Sequence, residues 1–475
     1  MVVRLHNTMT RSIDEFEPID RGKVGLYTCG PTVYQYAHIG NLRTYVFEDV
    51  LKRVLEEAGF EVRHVMNVTD VGHLVSDADT GDDKMEKSAA KQGKTIREIA
   101  DFYWEAFRKD MRLLNVREPD VWCKATDHIA EQIELIRRLE ERGFTYRLDD
   151  GLYFDTLKLK DYGKLARLDR DGLLAGARIE MVEGKKSPTD FALWKFSPKD
   201  KQRLMEWESP WGTGFPGWHL ECSAMSLRYL GERFDIHCGG VDHIAIHHTN
   251  EIAQVEAAYG HDWVRWWMHG EFLVLPAKGE EGETTKMAKS GENFVTISSV
   301  IDRGIDPLAY RLFCLNAHYR APLTFTWESL GGCANALGRL RNRVGELRKK
   351  GAGSPSEKHR SDFLEACADD LNMPRALAVF WGVLREEALS VADRYATLLA
   401  MDRVLGLGVE SMEEEKASLD AEAEDLVRRR DEARKRRDFA EADRLRDELL
   451  ARGYVLEDTP GGTRARRKER EIDCG

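Results

Sequence analysis

The chain has no run of 18 apolar residues, which excludes a helix long enough to span a bilayer. Its first residues, Met-Val-Val-Arg-Leu-His-Asn, lack the apolar stretch of a secretory signal, and a cytosolic protein is expected. Cys-x-x-Cys pairs are missing as well. Eight cysteines lie scattered at 29, 123, 222, 238, 314, 333, 367 and 474. That distribution speaks against a disulfide framework, and most of these thiols are expected to be small buried hydrophobes. Nor is there an excess of positive charge. Against 83 acidic residues stand 71 basic ones, leaving −12, unlike a protein whose main task is to coat nucleic acid. The local exception is the basic run "RARRKER" at 464–470. No internal repeat is visible.

What is present is a soluble composition, 42% hydrophobic and 32% charged, over 475 residues, enough for two to four domains. "GKVGLYTC" reads as a buried strand. The next segment, "NLRTYVFEDVLKRVLEEAG", carries Tyr45, Val46, Val50, Leu51 and Leu55 at helical spacing and ends on Gly59, a C-cap. "FEVRHVMNVTDV" reads as the next strand, so a βαβ unit and a parallel sheet are predicted. The stretch "DKMEKSAAKQGKTIREIADFYWEAFRKDMRLLN" that follows reads as strongly helical and charged. From Arg117 to about Trp211 the texture changes, which predicts an insertion. The βα pattern resumes at "FPGWHLECSAM", and from about Asp302 the chain is nearly all helical. "GAGSPSEKH" (351–359) reads as a connection and the acidic 411–425 as a solvated spacer or helix. The last segment reads as two helices joined at "RDF", a short strand and a basic tail.

Two short motifs sit in this frame. His38-Ile39-Gly40-Asn41 opens a helix directly after a strand and a Cys-Gly-Pro-Thr turn, where free N–H groups and the helix dipole suit a phosphate. Lys286 and Lys289, in "KMAKS", could grip a polyphosphate. Each alone is equally an ordinary helix start or a solvated lysine pair. A third set could hold a metal: Cys29, Cys222, and the stretch with His243, His247, His248 and Glu251. If that stretch is helical, His247 and Glu251 share a face, and two thiolates, an imidazole and a carboxylate suit Zn2+. Spacing alone does not bring these residues together.

The two motifs, roughly 245 residues apart, resemble the signature pair of class I aminoacyl-tRNA synthetases, with Asn41 and Ala288 as departures. Over nearly its whole length the chain resembles the cysteinyl-tRNA synthetases, in "YTCGPTVY", "HIGN", "NVTDV", "SPTDFALWK", "SPWGTGFPGWHLECSAM", "FDIHCGGVDHIAIHHTNEIAQ", "WMHG", "KMAKSGENF", "DDLNMPRALAV" and "RRDFAEADRLRDEL". The resemblance implies an α/β fold: a Rossmann-like catalytic domain (1–116 and 212–300), a connective insertion (117–211), a stem-contact region and helical bundle (301–415), and an anticodon-binding domain (420–475). It implies a zinc site at Cys29, Cys222, His247 and Glu251, with the zinc selecting the substrate thiol. It implies catalytic roles for His38, Asn41, Lys286 and Lys289, and ATP contacts by these residues with Gly40 and Asp242. Asp242 would bond ribose hydroxyls or be an ordinary turn residue, and His237 is open in the same way; Thr32, Thr69 and Trp218 would form the amino-acid pocket. Arg434, Phe439, Asp443 and Asp458 would meet the anticodon. The implied partners are L-cysteine, ATP with Mg2+ and tRNA(Cys), and the implied state is a monomer. The competing readings are a cysteine ligase of the mycothiol-biosynthesis type, against which residues 420–475 speak, and a non-catalytic tRNA-binding paralogue, against which the complete ligand set speaks.

Overall fold

The computed structural model describes residues 1–71, 85, 88, 92–168, 184–198, 203–276, 284–286, 294–349, 351, 353–412, 421–459 and 462–467. A hairpin of β1 (Arg4–Asn7) and β2 (Ser12–Glu15) comes first. Then follow β3 (Lys23–Thr28), α1 (Ile39–Glu57), β4 (Glu61–Val68), α2 (Ile96–Leu113) and β5 (Val121–Lys124). The inserted segment holds α3 (Ile129–Glu141) and an antiparallel sheet of β6 (Thr145–Leu148), β7 (Gly151–Phe154), β8 (Phe191–Phe196) and β9 (Gly214–Pro216). The chain then returns through α4 (Trp218–Leu230), β10 (Phe234–Gly240), α5 (His247–Tyr259) and β11 (Val264–Gly270).

The central sheet has the order β11-β10-β3-β4-β5, and every pairing in it is parallel. Alternate residues of its strands go to opposite faces, as the pleat requires. Leu26, Met66 and Ile236 share a core with α1. Their neighbours Tyr27 and Val65 join Cys222, Met225, Ile252 and Val255 of α4 and α5 on the other face. Helices on both faces explain why these strands read as near-continuous apolar runs.

Two expected boundaries move. The short strand Val121–Lys124 pairs with β4 and closes one edge of the central sheet, so the insertion starts after it rather than at 117. Gly214–Pro216 pairs with β8, so the sheet of the insertion runs past 211. Both strands have four residues or fewer, too few for an alternation pattern to show.

Beyond β11 come β12 (Leu273–Pro276), β13 (Thr284–Lys286), α6 (Ile297–Asp302), α7 (Pro307–Leu315) and β14 (Leu323–Thr324). The helices α8 (Trp327–Arg348), α9 (Glu357–Ala368), α10 (Met373–Val383) and α11 (Val391–Leu405) form the expected helical region. A small unit closes the chain: α12 (Ala421–Lys435), α13 (Phe439–Ala451), β15 (Tyr454–Thr459) and β16 (Gly462–Arg467). The basic run therefore begins inside a second strand, paired to β15, where a tail was expected. Among the described residues no helix is long and apolar enough to cross a membrane.

A buried ionic hub joins α1 to the helices. Asp49 Oδ2 accepts from Arg53 Nε at 2.7 Å and from Arg311 Nη2 at 2.6 Å, and its Oδ1 accepts the Arg117 amide at 3.0 Å. Arg311 also donates to the carbonyls of Leu405 at 2.6 Å and Leu114 at 3.1 Å. Burial alone would raise the Asp49 carboxyl, but the Arg311 and Arg53 guanidiniums outweigh it and hold it below its ordinary 3.8. Its contribution to stability is thus full at neutral pH and is lost as the pH falls through the lower folded value. Asp49→Ala leaves two buried guanidiniums uncompensated and is expected to cost about 3–5 kcal/mol, read as a lower denaturant midpoint at unchanged slope.

Candidate active site and metal centre

The strand order reverses between β3 and β10, and in open parallel sheets a crevice opens at such a point outside the carboxyl ends of the strands. Here the crevice is a cleft of about 420 Å3. Cys29, immediately after β3, and Gly240, at the end of β10, lie at it, and Thr32, His38, Gly40, Asn41, Trp218, Asp242 and His247 also line it. Residues distant in sequence are thus brought to one place because β3 and β10 are neighbours.

At one end of the cleft lies the start of α1. His38 is its N-cap. The His38 Nδ1 accepts the Asn41 amide at 3.1 Å, and Asn41 Oδ1 accepts the His38 amide at 3.3 Å, a closed capping box. Because Nδ1 is an acceptor, the ring proton is on Nε2, so the imidazole is an N–H donor. Asn41 likewise commits its oxygen and keeps its NH2 group as a donor. The signature departure at 41 therefore preserves a donor and adds a cap. A side chain at Gly40 would meet the His38 ring, with Cβ 2.9 Å from Nδ1. Asp242 sits in the turn after Gly240 and lines the cleft.

At the base lies the metal set. Cys29 follows β3, Cys222 is on α4, and His247 and Glu251 share a face of α5, as their spacing predicts. One ligand atom from each of Cys29, Cys222, His247 and Glu251 lies within 4.8 Å of the others. The same holds for Cys29, His237, His248 and Glu251. Glu251 has no exposed surface. Its Oε2 is bonded to His237 Nε2 at 2.8 Å, while its Oε1, in ion-pair contact with His247 Nε2 at 2.9 Å, takes no hydrogen bond. Burial would raise the Glu251 carboxyl, but His237 and His247 outweigh it and hold it at about 2. Burial would lower His247, but Glu251 and Cys222 lift it to about 10. The buried carboxylate is here balanced by a proton on one imidazole. That electrostatic setting, and the orphaned Oε1, fit a cation, and the donor set fits zinc.

Further histidines back the set. His248 Nε2 is 3.3 Å from Cys29 Sγ; its Nδ1 is 2.8 Å from His269 Nε2, whose Nδ1 is 2.8 Å from Thr8 Oγ1. His219 Nδ1 is 3.0 Å from His247 Nδ1. The sequence reading attached no role to His219, His269 or Thr8. Their histidines stand beside Trp218 in "GWH" and in "WMHG", quoted there only as resemblance. The Trp218 ring lies 4.7 Å from that of His247.

Thr69 differs from expectation. It does not line the cleft: it is 2% exposed, with its hydroxyl bonded to Glu221 and Asn67. The β-bridge from Thr69 to Thr32 puts Thr32 at the wall and Thr69 beside it. Lys286 ends β13, opposite Val274 of β12. Ala288 and Lys289 lie outside the described residues. In the C-terminal unit Arg434 is in the last turn of α12, and Phe439 (64% exposed) and Asp443 are one turn apart on α13. Asp458 pairs with Thr463 across β15 and β16.

Gly40→Ala is expected to push the His38 ring out of its cap and to lower stability by about 1 kcal/mol, measured by thermal or denaturant unfolding.

Comparisons with known proteins agree with this arrangement. The family described as "tRNA synthetases class I (C) catalytic domain" matches residues 15–335, and "Cysteinyl-tRNA ligase anticodon binding domain" matches 416–466. A cysteine–tRNA ligase of Burkholderia lata is 53% identical over 464 residues, covering 98% of this chain and 97% of that protein. Those of Treponema denticola and Thermococcus onnurineus are 44% and 42% identical, each over 98% of this chain and 99% and 98% of theirs. Among solved structures, methionyl-tRNA synthetase of Mycobacterium tuberculosis with methionyl-adenylate has a TM-score of 0.53 at 16% identity, covering 88% of this chain and 96% of its own. A leucyl-tRNA synthetase complex of Agrobacterium radiobacter reaches 0.57 at 12% identity, covering 83% of this chain and 85% of its own. The latter two share the fold. With a class I catalytic domain, a cysteine-specific anticodon domain and near-full-length relatives, the chain belongs to the cysteine–tRNA ligase family.

Proposed function

We propose that Cys29, Cys222, His247 and Glu251 hold one Zn2+ at the base of the cleft and that the substrate is selected there by its sulfur. The observation that carries this is the four-residue set itself: one ligand atom each of Cys29, Cys222, His247 and Glu251 lies within 4.8 Å of the others, and Glu251 is fully buried and held ionised. His237 and His248 belong to the second tetrad, but each has a partner that suits a supporting role. His237 meets Glu251 Oε2, and His248 meets Cys29 while its other nitrogen is taken by His269. Metal ligands are oriented by such outer hydrogen bonds. A zinc ion in this set supplies a soft site for a thiolate, which a serine hydroxyl matches poorly. An apolar pocket separates such near-isosteres by only about 10–200-fold, whereas loss of a strong polar bond rejects by roughly 10^4 or more, so no editing domain is required.

The family's reaction joins L-cysteine to tRNA(Cys) in two steps. The cysteine carboxylate attacks the α-phosphate of ATP and pyrophosphate leaves. A terminal ribose hydroxyl of the tRNA then attacks the adenylate and AMP leaves. In our reading the cleft's residues position and stabilise charge. His38 Nε2–H and the Asn41 NH2 group hold phosphate oxygens at the dipole end of α1, Gly40 leaves room for them, and Lys286 and Lys289 close from the opposite side. Asp242 accepts from ribose hydroxyls, Mg2+ accompanies ATP, and Thr32 and Trp218 wall the amino acid. The parallel-sheet domain carries this chemistry, the helices from 301 follow the tRNA, and the unit from 420 reads the anticodon. There Phe439 stacks a base, Asp443 and Asp458 accept from base edges and Arg434 holds phosphate. The seven described cysteines are free and buried, in keeping with work in the reducing cytoplasm.

Metal analysis of purified protein is expected to find one zinc per chain, and ATP–pyrophosphate exchange is expected with cysteine alone among the twenty amino acids. Metal-free protein with the same selectivity would remove the zinc from the reading. Lys289→Ala is expected to slow adenylate formation by about 10^2–10^3-fold with fold and metal content unchanged; unaltered exchange would refute its role.

A further inference from the structure

Arg43 stands two residues beyond Asn41 on α1 and is only 4% exposed. It does not line the cleft. A guanidinium at that depth needs acceptors for its donors. Here the acceptors are four main-chain carbonyls. Nη1 donates to Glu271 at 2.9 Å and to Phe272, and Nη2 donates to Ala321 at 2.5 Å and to His318 at 3.3 Å.

The place of those carbonyls decides what the side chain does. Glu271 and Phe272 directly precede β12, and Ala321, with His318 shortly before it, leads into β14. These strands are neighbours in a three-stranded sheet of order β13-β12-β14, with Leu273 opposite Leu323. One planar fork therefore grips the roots of two adjacent strands. The third strand, β13, ends on Lys286, which is in register with Val274, just past Phe272. So the backbone that carries Lys286 hangs from the helix that begins after His38. Beyond the lysine motif the chain comes back to the same helix start. The Ile39 amide donates to the Val295 carbonyl at 2.9 Å, and the His38 ring meets Phe294 edge-on, with centroids 6.0 Å apart. Leu273 and Ile39 also share an apolar core, but apolar contact is non-directional and does not set register. The Arg43 bonds are directional, and a rigid fork of donors passes the position of α1 on to the sheet.

We infer that Arg43 is a positioning residue for the phosphate end of the cleft: it fixes the distance between the donors at the start of α1 and the strand that ends on Lys286, and it touches neither ATP nor cysteine. This rests on the reading that these two elements hold the ATP phosphates from opposite sides.

The two chemical steps separate positioning from plain damage to the fold. Adenylate formation needs the polyphosphate held from both sides. Transfer to tRNA from an adenylate already formed has no pyrophosphate to hold. Arg43→Gln removes the fork, and Arg43→Lys keeps the charge with fewer, unforked donors. The glutamine variant is expected to slow ATP–pyrophosphate exchange about 10^2-fold, the effect of a displacement of roughly 1 Å. In the same variant, single-turnover transfer of cysteine from the isolated enzyme-bound adenylate is expected to stay within about threefold, and KM for cysteine within about twofold. The lysine variant is expected to fall between, and it carries the test if the glutamine variant does not fold. Because Arg43 acts through the strand of Lys286, Arg43→Lys in a Lys286→Ala background is expected to slow exchange by less than about threefold further. Exchange and transfer reduced alike would mean that Arg43 only supports the fold and would overturn the inference, as would exchange unchanged in both variants or full additivity with Lys286→Ala. A Lys286→Ala enzyme with unaltered exchange would overturn the phosphate reading itself, and this inference with it.

Discussion

A carboxylate with no exposed surface, Glu251, lies between two imidazoles and within reach of two thiols. An ionised group at that depth is affordable only with partners on every side. One oxygen has His237; the other meets His247. Most of the surrounding design follows from keeping this cluster assembled. It needs β3 beside β10, so that Cys29 and α5 meet. It needs α4 docked in one register, so that Cys222 reaches the same point. It also needs a wall of histidines, each with a second partner, to hold the ligands in place.

The phosphate end of the cleft is built with different means. There the helix start itself is the device, and His38 and Asn41 tie each other's backbone before any ligand arrives. The two ends differ accordingly. The end with Cys29, Cys222, His247 and Glu251 is buried and tightly paired. The phosphate end presents N–H donors to an open cleft, suited to a large anion. The Asp49–Arg311–Arg53 hub then ties α1 to the helices that follow the sheet.

Local patterns were readable wherever an element was long and periodic. The helix from Ile39 was visible from its apolar spacing, and the helical pairing of His247 with Glu251 from the motif alone. Four-residue β5 and three-residue β9 were not, because such pieces carry no period. The supporting residues Thr8, His219 and His269 carried no signal either, since nothing in a chain position says which buried polar group lies nearby.

By itself, then, the sequence determined the chemistry available to this protein: a helix start with His38, Gly40 and Asn41, a lysine motif, and thiol, imidazole and carboxylate groups that could hold a metal ion. Residue type and short-range periodicity specify these, because they depend on bonds and contacts within a few residues. The tertiary structure decided which groups meet and which stand behind them. Only strand order puts Cys29 beside residues more than 190 positions away, and only the packing of α4 on the sheet brings Glu221 to Thr69, behind Thr32 at the cleft wall. Those outcomes depend on packing between elements remote in sequence, which no local pattern encodes.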